Sequence, residues 1–225
     1  MTYILCIDTT TDVCSVALTQ NGTVVADIEN NDKNTQAALL TTYIDKILKN
    51  ANCSYKQLSA VALSSGPGSY TGLRIGASVA KGLCYALDIP LINTDTLTAL
   101  TQQVAQLYNH PNAYYVPMID ARRQEVFAAV FDNRLYTIQT PQAIILEPTT
   151  FDTLLNEKKV LFCGSGSVKY QLMLQHRNAQ FVDTKNAYCK AINIALLSYQ
   201  QYLKKDFSNT AYYQPFYVKP FYVGN

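Results

Sequence analysis

Residues 61–87, "VALSSGPGSYTGLRIGASVAKGLCYAL", hold the chain's densest set of groups that could bind an anion. Gly66 and Gly68 follow an apolar run, and Gly72 opens a segment rich in Gly and Ala. Free backbone N–H groups at a helix start attract anions, and glycine lets a ligand approach the backbone. Ser64, Ser65, Ser69 and Thr71 add hydroxyl donors. The spacing G-x-G-x-x-x-G is one residue longer than the dinucleotide fingerprint, and no lysine stands in the Walker position, so neither motif is present. Two readings stay open: an anion site, or a Gly-Pro turn in which Ser69 or Thr71 caps the next helix.

A pair of acids is the second candidate. Asp8 stands at the end of "TYILCID" and Asp120 at the end of "YYVPMID". Two carboxylates facing a cleft can hold Mg²⁺ for a nucleotide or act as a general base. Either can equally cap the backbone N–H groups of its own turn. Thr9-Thr10-Thr11-Asp12 follows Asp8 without a glycine, which counts against a phosphate on that turn. Gly164 and Gly166 form a second Gly turn in "KVLFCGSGS". On the binding reading, Asp8, Ser65, Gly66, Gly68, Asp120, Gly164 and Gly166 are the candidate residues of a nucleotide or anion cleft, in use or vestigial.

The elements that must position these residues follow from the hydrophobic periods. Residues 2–9 read as a central strand apolar on both faces, and 13–19 as a strand with Cys14, Val16 and Leu18 on one face. Asn21-Gly22 is a strong two-residue hairpin turn into 23–29. From Asn34 to Asn50 the period becomes helical, with Leu39, Leu40, Tyr43, Ile44, Ile47 and Leu48 in one stripe. A strand at 89–95 and a helix at 96–108 close the first half. The pattern then restarts: strands at 114–131 and 135–139, a helix near 149–156, and the strand into Gly164. A helix follows, then a long one at 187–204 with Ile192, Ala195, Leu196, Tyr199 and Leu203 on one face.

Asp8 precedes Val16, and Asp120 precedes Ala128, by the same eight residues, and each set is followed by a Gly turn. The chain therefore reads as two copies of one α/β unit, lobes 1–108 and 109–205, with ligands expected at matching strand ends. A tail, 206–225, repeats Pro-Phe-Tyr-Val and reads as an extended segment lying on an apolar groove.

Composition narrows the function. Net charge is +2 and no Lys or Arg run exceeds two residues, so nucleic-acid binding by this chain alone is disfavoured. With 48% hydrophobic and 15% charged residues the chain is globular, and part of its surface is either covered by a partner or built from uncharged polar residues. No apolar run can span a bilayer and the N-terminus lacks a basic leader region, so a cytoplasmic protein without membrane contact is expected. Six cysteines without a C-x-x-C pair read as reduced, buried thiols; with only His110 and His176 beside them, no metal site is expected. The helix after Gly72 carries Gly76, Ala77, Ala80 and Gly82, and each interior Gly costs about 1 kcal/mol relative to Ala, so close approach of another helix is the simplest reason for them.

"ILCIDTTTDVCSVAL", "SSGPGSYTGLRIGASVAKGL", "IDARRQEVFAAVF", "CGSGSVKY" and "PFYVK" resemble, in order, the TsaB (YeaZ) family over nearly the whole chain. The resemblance implies a duplicated two-lobed fold of the actin, heat-shock ATPase and sugar-kinase type. It implies a non-catalytic subunit of the bacterial complex that places threonylcarbamoyl on the adenosine beside the anticodon of ANN-reading tRNAs. The implied partners are the catalytic, metal-holding paralogue TsaD and the ATPase TsaE; tRNA is met only through the complex, and a homodimer forms when the chain is alone. Pairing through the first two helices would use Leu39, Tyr43, Ile47, Gly72, Ile75, Gly76, Val79 and Leu83. TsaD relatives carry a His pair in the first-helix region, where this chain has Lys33-Asn34-Thr35-Gln36; Asn34 departs from the His that many TsaB sequences keep. No cofactor is expected. The alternative is a small ATP-dependent phosphotransferase with Asp8 and Asp120 on Mg²⁺, while a metalloprotease fails for want of ligands.

Overall fold

Strand β1 (Tyr3–Asp8) is buried on both faces, so it needs partners on each side and cover above and below. Those partners are β2 (Cys14–Gln20), antiparallel, and β4 (Leu58–Ser64), parallel. With β3 (Thr23–Asn30) and β5 (Leu91–Thr94) they form a sheet of order β3-β2-β1-β4-β5. Asn21 and Gly22 both take positive φ, the conformation a tight hairpin asks of that pair. The computed structural model describes residues 1–30, 36–183, 185 and 187–220, leaving out the side chains of 36 and 37. Lys33-Asn34-Thr35, which bear on the metal reading, and the second Pro-Phe-Tyr-Val after Pro220 lie outside the described residues.

The second sheet repeats the first. Strands β6 (Ala113–Asp120), β7 (Glu125–Phe131) and β8 (Thr137–Ile145) form an antiparallel meander, and β9 (Lys159–Cys163) and β10 (Ala179–Phe181) add in parallel. Their order, β10-β9-β6-β7-β8, matches the first sheet strand for strand, with Asp8 and Asp120 ending equivalent strands. The expected duplicated α/β fold is present. Strand β8 runs past the 135–139 expected for it because Pro141 lies on an edge strand, where a missing N–H is tolerated. Phe151, Phe162, Tyr170 and Phe181 pack edge-on and stacked within the second core, Phe162 and Tyr170 at 5.1 Å.

The helices are α1 (Gln36–Asn50), α2 (Tyr70–Leu87), α3 (Thr96–Leu107), the short α4 (Asp152–Glu157) and α5 (Ser167–Gln171), and α6 (Ala191–Lys204). Leu5, Ile7, Val16, Leu18, Val61 and Leu63 meet α1 and α2 in one core. The alternate residues of the same strands face α6: Ser15 Oγ accepts from Ala191 N–H at 2.8 Å, and Cys6 bonds Ser198.

That placement corrects two expectations. The chain divides into Met1–Thr96 with Cys189–Phe216, and Leu97–Tyr188 with the residues from Tyr217, rather than at 108 and 205. The reason is the second face of the first sheet, which is buried and leaves Cys6, Ala17, Ala60 and Ala62 in need of a cover. The buried face of α6 is Ala191, Ile194, Ala195 and Ser198, not Ile192, Leu196, Tyr199 and Leu203; three of its four side chains are small, which lets the helix lie close to that small-residue sheet. Cys14, Val16 and Leu18 share the first core as expected, and the other face of β2 is buried too.

None of the six cysteines is in a disulfide, and all are buried. Burial pushes Cys6 up to about 12 and Cys14 and Cys84 to about 11, so these thiols are poor nucleophiles at neutral pH. Among the described residues no helix is long and apolar enough to cross a membrane.

Candidate functional site

The Gly turn between β4 and α2 is bound to its own chain. Ser65 N–H donates to Thr94 O (2.8 Å), Gly66 N–H to Thr96 Oγ1 (3.1 Å) and Ser69 N–H to Thr10 O (2.6 Å). Gly72 N–H donates to Ser69 Oγ at 3.3 Å, so Ser69 is the helix cap. A methyl on Gly66 would collide with the Phe216 carbonyl oxygen, and one on Gly68 with Thr10 O. Glycine is required there because the chain's own backbone, from the tail and from the β1–β2 turn, lies against the turn.

The second Gly turn follows suit. Gly166 N–H donates to Met118 O (3.0 Å) and Ser167 N–H to Gly164 O (3.1 Å). A Cβ on Gly164 would strike Met118 O, and one on Gly166 would sit 2.7 Å from Val126.

Asp8 is 2% exposed and caps its own turn. Its Oδ1 accepts from Thr10 N–H (2.9 Å) and Thr10 Oγ1 (2.7 Å), and its Oδ2 from Ser64 Oγ (2.5 Å). Burial raises its pKa above the ordinary 3.8, with the bonds from Ser64 and Thr10 pulling the other way. A carboxyl with a raised folded pKa contributes stability that is fully present below its unfolded value and lost as pH rises toward the folded one. Asp8→Asn removes that loss: against wild type its urea midpoint gains ground as pH rises from about 4 to 8, where an ionised, cation-holding Asp8 would show no such gain.

Asp120 lies in the other unit and is more exposed. It takes Arg122 N–H on Oδ1 at 2.6 Å and the Lys169 ammonium at 2.8 Å. Ser165 Oγ accepts from Asp120 N–H, tying the acid to the Gly164 turn. Each Asp–Gly pairing thus forms within its own unit. Lys169 also donates to the carbonyls of Arg123 (2.8 Å) and Glu125 (2.9 Å). The sequence offered no pointer to Lys169, which stands 49 residues from its carboxylate partner.

The helix stripe divides into two sets. Ile47 is 0% exposed, inside the first core. Gly72 and Gly76 are buried against β1's end: Gly72 O accepts from Thr9 Oγ1 (2.7 Å), and a Cβ on Gly76 would lie 2.5 Å from the same hydroxyl. These three belong to internal packing, a correction to their assignment to a partner surface. Leu39 is half-buried, and Tyr43, Ile75, Val79 and Leu83 edge the core half-buried. On the same helix as the last three, a Cβ on Gly82 would meet nothing within 4 Å among the described residues beyond its own helix backbone, and Tyr85 is 88% exposed. Gly82 is therefore the small residue of α2 that the chain's own packing does not explain.

The tail is held by its backbone more than by its rings. Ser208 N–H donates to Leu91 O (2.8 Å) and Phe216 N–H to Ser65 O (2.8 Å), while the Lys81 ammonium donates to Ala211 O (3.0 Å) and Tyr213 O (3.3 Å). Tyr213 packs at the edge of the first core, but Tyr212 is exposed.

Comparison with known proteins agrees with the motifs. The family model described as TsaD, tRNA N6-adenosine threonylcarbamoyltransferase, matches residues 23–223. A Buchnera aphidicola (Acyrthosiphon pisum) protein named tRNA threonylcarbamoyladenosine biosynthesis protein TsaB is 30% identical over 183 residues, 81% of this chain and 78% of that one. The chain belongs to the TsaB (YeaZ) family. The Haemophilus influenzae TsaB of the same description is 39% identical over 124 residues, 55% of this chain, and the match spans about half (51%) of that protein's length. A Pseudomonas aeruginosa structure, described as an uncharacterized protein with similarity to peptidase YeaZ, matches over 97% of this chain and all of its own at TM-score 0.81 and 22% identity, so the two share a fold.

Proposed function

We propose that this chain is a non-catalytic scaffold and activating subunit of the machinery that transfers threonylcarbamoyl to the adenosine beside the anticodon of ANN-reading tRNAs. It pairs with a TsaD-like catalytic subunit and works with a TsaE-like ATPase, and it forms a homodimer through the same surface when alone. The observation that carries this reading is the α1–α2 edge, where Leu39, Tyr43, Ile75, Val79 and Leu83 are half-buried beside an open Gly82. An apolar strip flanked by a small residue suits the close approach of a helix pair from a partner. The names of the TsaB relatives supply the pathway, and the matching family model is that of the proposed partner's class.

The phosphotransferase reading draws less support. Asp8 and the Gly66 turn, which it would recruit for Mg²⁺ and phosphate, already bond to Thr10, Ser64, Thr94 and Thr96. Titration calorimetry of this chain with the TsaD-like protein tests the two against each other. The subunit reading expects a saturable complex and no ATP turnover by this chain alone. Turnover of ATP with a small acceptor, and no complex, would sink it.

A further inference from the structure

The turn joining β6 to β7 has a backbone that few residues tolerate. Arg122 and Arg123 both lie at positive φ, 71° and 48°, where a β-carbon is crowded. Such a pair persists only if its surroundings hold it. Here the Asp120 carboxylate takes Arg122 N–H, and the Lys169 ammonium bridges Asp120, Arg123 O and Glu125 O. Glu125 N–H closes the turn onto Arg122 O at 3.0 Å.

The charges are divided unevenly. The two carboxylates of the hairpin are taken, Asp120 by Lys169 and Glu125 by Lys219 at 2.6 Å. Arg122 and Arg123 are exposed, and among the described residues neither guanidinium has a carboxylate partner. A hydrogen-bonded tip thus presents two adjacent guanidinium groups that no carboxylate among the described residues neutralises.

We propose that this tip is a contact for the phosphodiester backbone of RNA, the tRNA handled by the complex; the proposal rests on the subunit reading above. Guanidinium is the side chain best matched to phosphate oxygens. An acidic protein partner is the other occupant of matching charge. Protein interfaces, however, are organised around a buried apolar centre, and residues 121–124 offer Ala, Arg, Arg and Gln with no exposed large apolar side chain. Phosphate contacts need no such centre, and they position rather than specify. Two charges are too few for tight binding by the chain alone, so the contact acts within the assembled complex. Lys169 is a positioning residue in this scheme: it fixes the turn and leaves both arginines free.

The test measures binding of an ANN-reading tRNA transcript to the assembled complex by fluorescence anisotropy, between about 50 and 200 mM salt. The variant is Arg122→Asn with Arg123→Asn, because asparagine accepts positive φ and keeps the turn while removing both charges. The expected result is Kd weakened about tenfold and the salt slope reduced by roughly 1.4–1.8, from about 0.7–0.9 per lost phosphate contact. Arg122→Lys with Arg123→Lys retains the slope. An unchanged Kd and slope in an assembled complex overturns the proposal. So does a variant that loses its protein partner while the remaining complex binds tRNA as before, since the arginines would then serve that protein. Failure of the subunit reading shows separately, as modification by the wild-type mixture that proceeds equally well without this chain.

Discussion

Val79→Glu abolishes pairing with the TsaD-like subunit and lowers tRNA modification by at least about a hundredfold, while the chain itself stays folded. Val79 lies half-buried at the edge of the α1–α2 core, so in the free chain a glutamate reaches water. Covered by a partner helix, the same carboxylate would be desolvated without a counter-charge, a cost of several kcal/mol. About 3 kcal/mol is already more than a hundredfold in affinity. Light scattering of the mixed proteins reads the pairing, and a urea midpoint close to wild type shows that the fold survives. Gly82 sharpens the test because its surroundings are open. Gly82→Ala stabilises the free chain by about 0.5–1 kcal/mol, as a helix-interior Gly replaced by Ala should. Gly82→Leu folds as well but blocks the partner. If both the Val79 and the Gly82 leucine variants still pair with wild-type affinity, the α1–α2 edge is not the interface.

Gly66→Ala acts in the opposite way, through the fold alone. Its φ of +113° is strained for any residue with a β-carbon, and the added methyl meets the Phe216 carbonyl oxygen. The expected loss is on the order of 3–4 kcal/mol, read as a lowered denaturant midpoint and faster proteolysis of the tail. Ending the chain after Lys205 separates the two causes, since it removes the Phe216 oxygen and leaves the φ strain. In the shortened chain Gly66→Ala should cost measurably less than in the full one, a coupling that a double-mutant cycle extracts. Equal costs in the two backgrounds would mean that the tail does not press on the turn.

The contrast between these two glycines shows where sequence reasoning reaches and where it stops. The duplication could be read directly, because equivalent strands must end alike: Asp8 and Asp120, Gly66 and Gly164, occupy the same places in two sheets of the same order. The wide apolar stripe of α1 was also visible, but not which of its residues face inward. Leu40, Ile44, Ile47 and Leu48 lie in the core while Leu39 and Tyr43 are only half-buried, and a stripe that broad fits several rotations of the helix. For α6 the stripe of large residues pointed to the wrong face: the sheet beneath is lined with Cys6, Ala17, Ala60 and Ala62, and the helix meets it with Ala191, Ile194, Ala195 and Ser198. Gly72 and Gly76 have the spacing of a helix–helix contact, yet they answer to the Thr9 hydroxyl at the end of β1. Lys169 had no sequence signature at all, since its three acceptors come from a turn more than 40 residues earlier.

Dependence of tRNA threonylcarbamoylation on this chain tests the central claim most directly. The mixture contains the cognate TsaD-like and TsaE-like proteins, the enzyme that makes the threonylcarbamoyl donor, and an ANN-reading tRNA, with this chain present or left out. Modification that appears only when the chain is added, and is lost again with Val79→Glu, is the predicted result. Modification that runs at the same rate without the chain would contradict the claim.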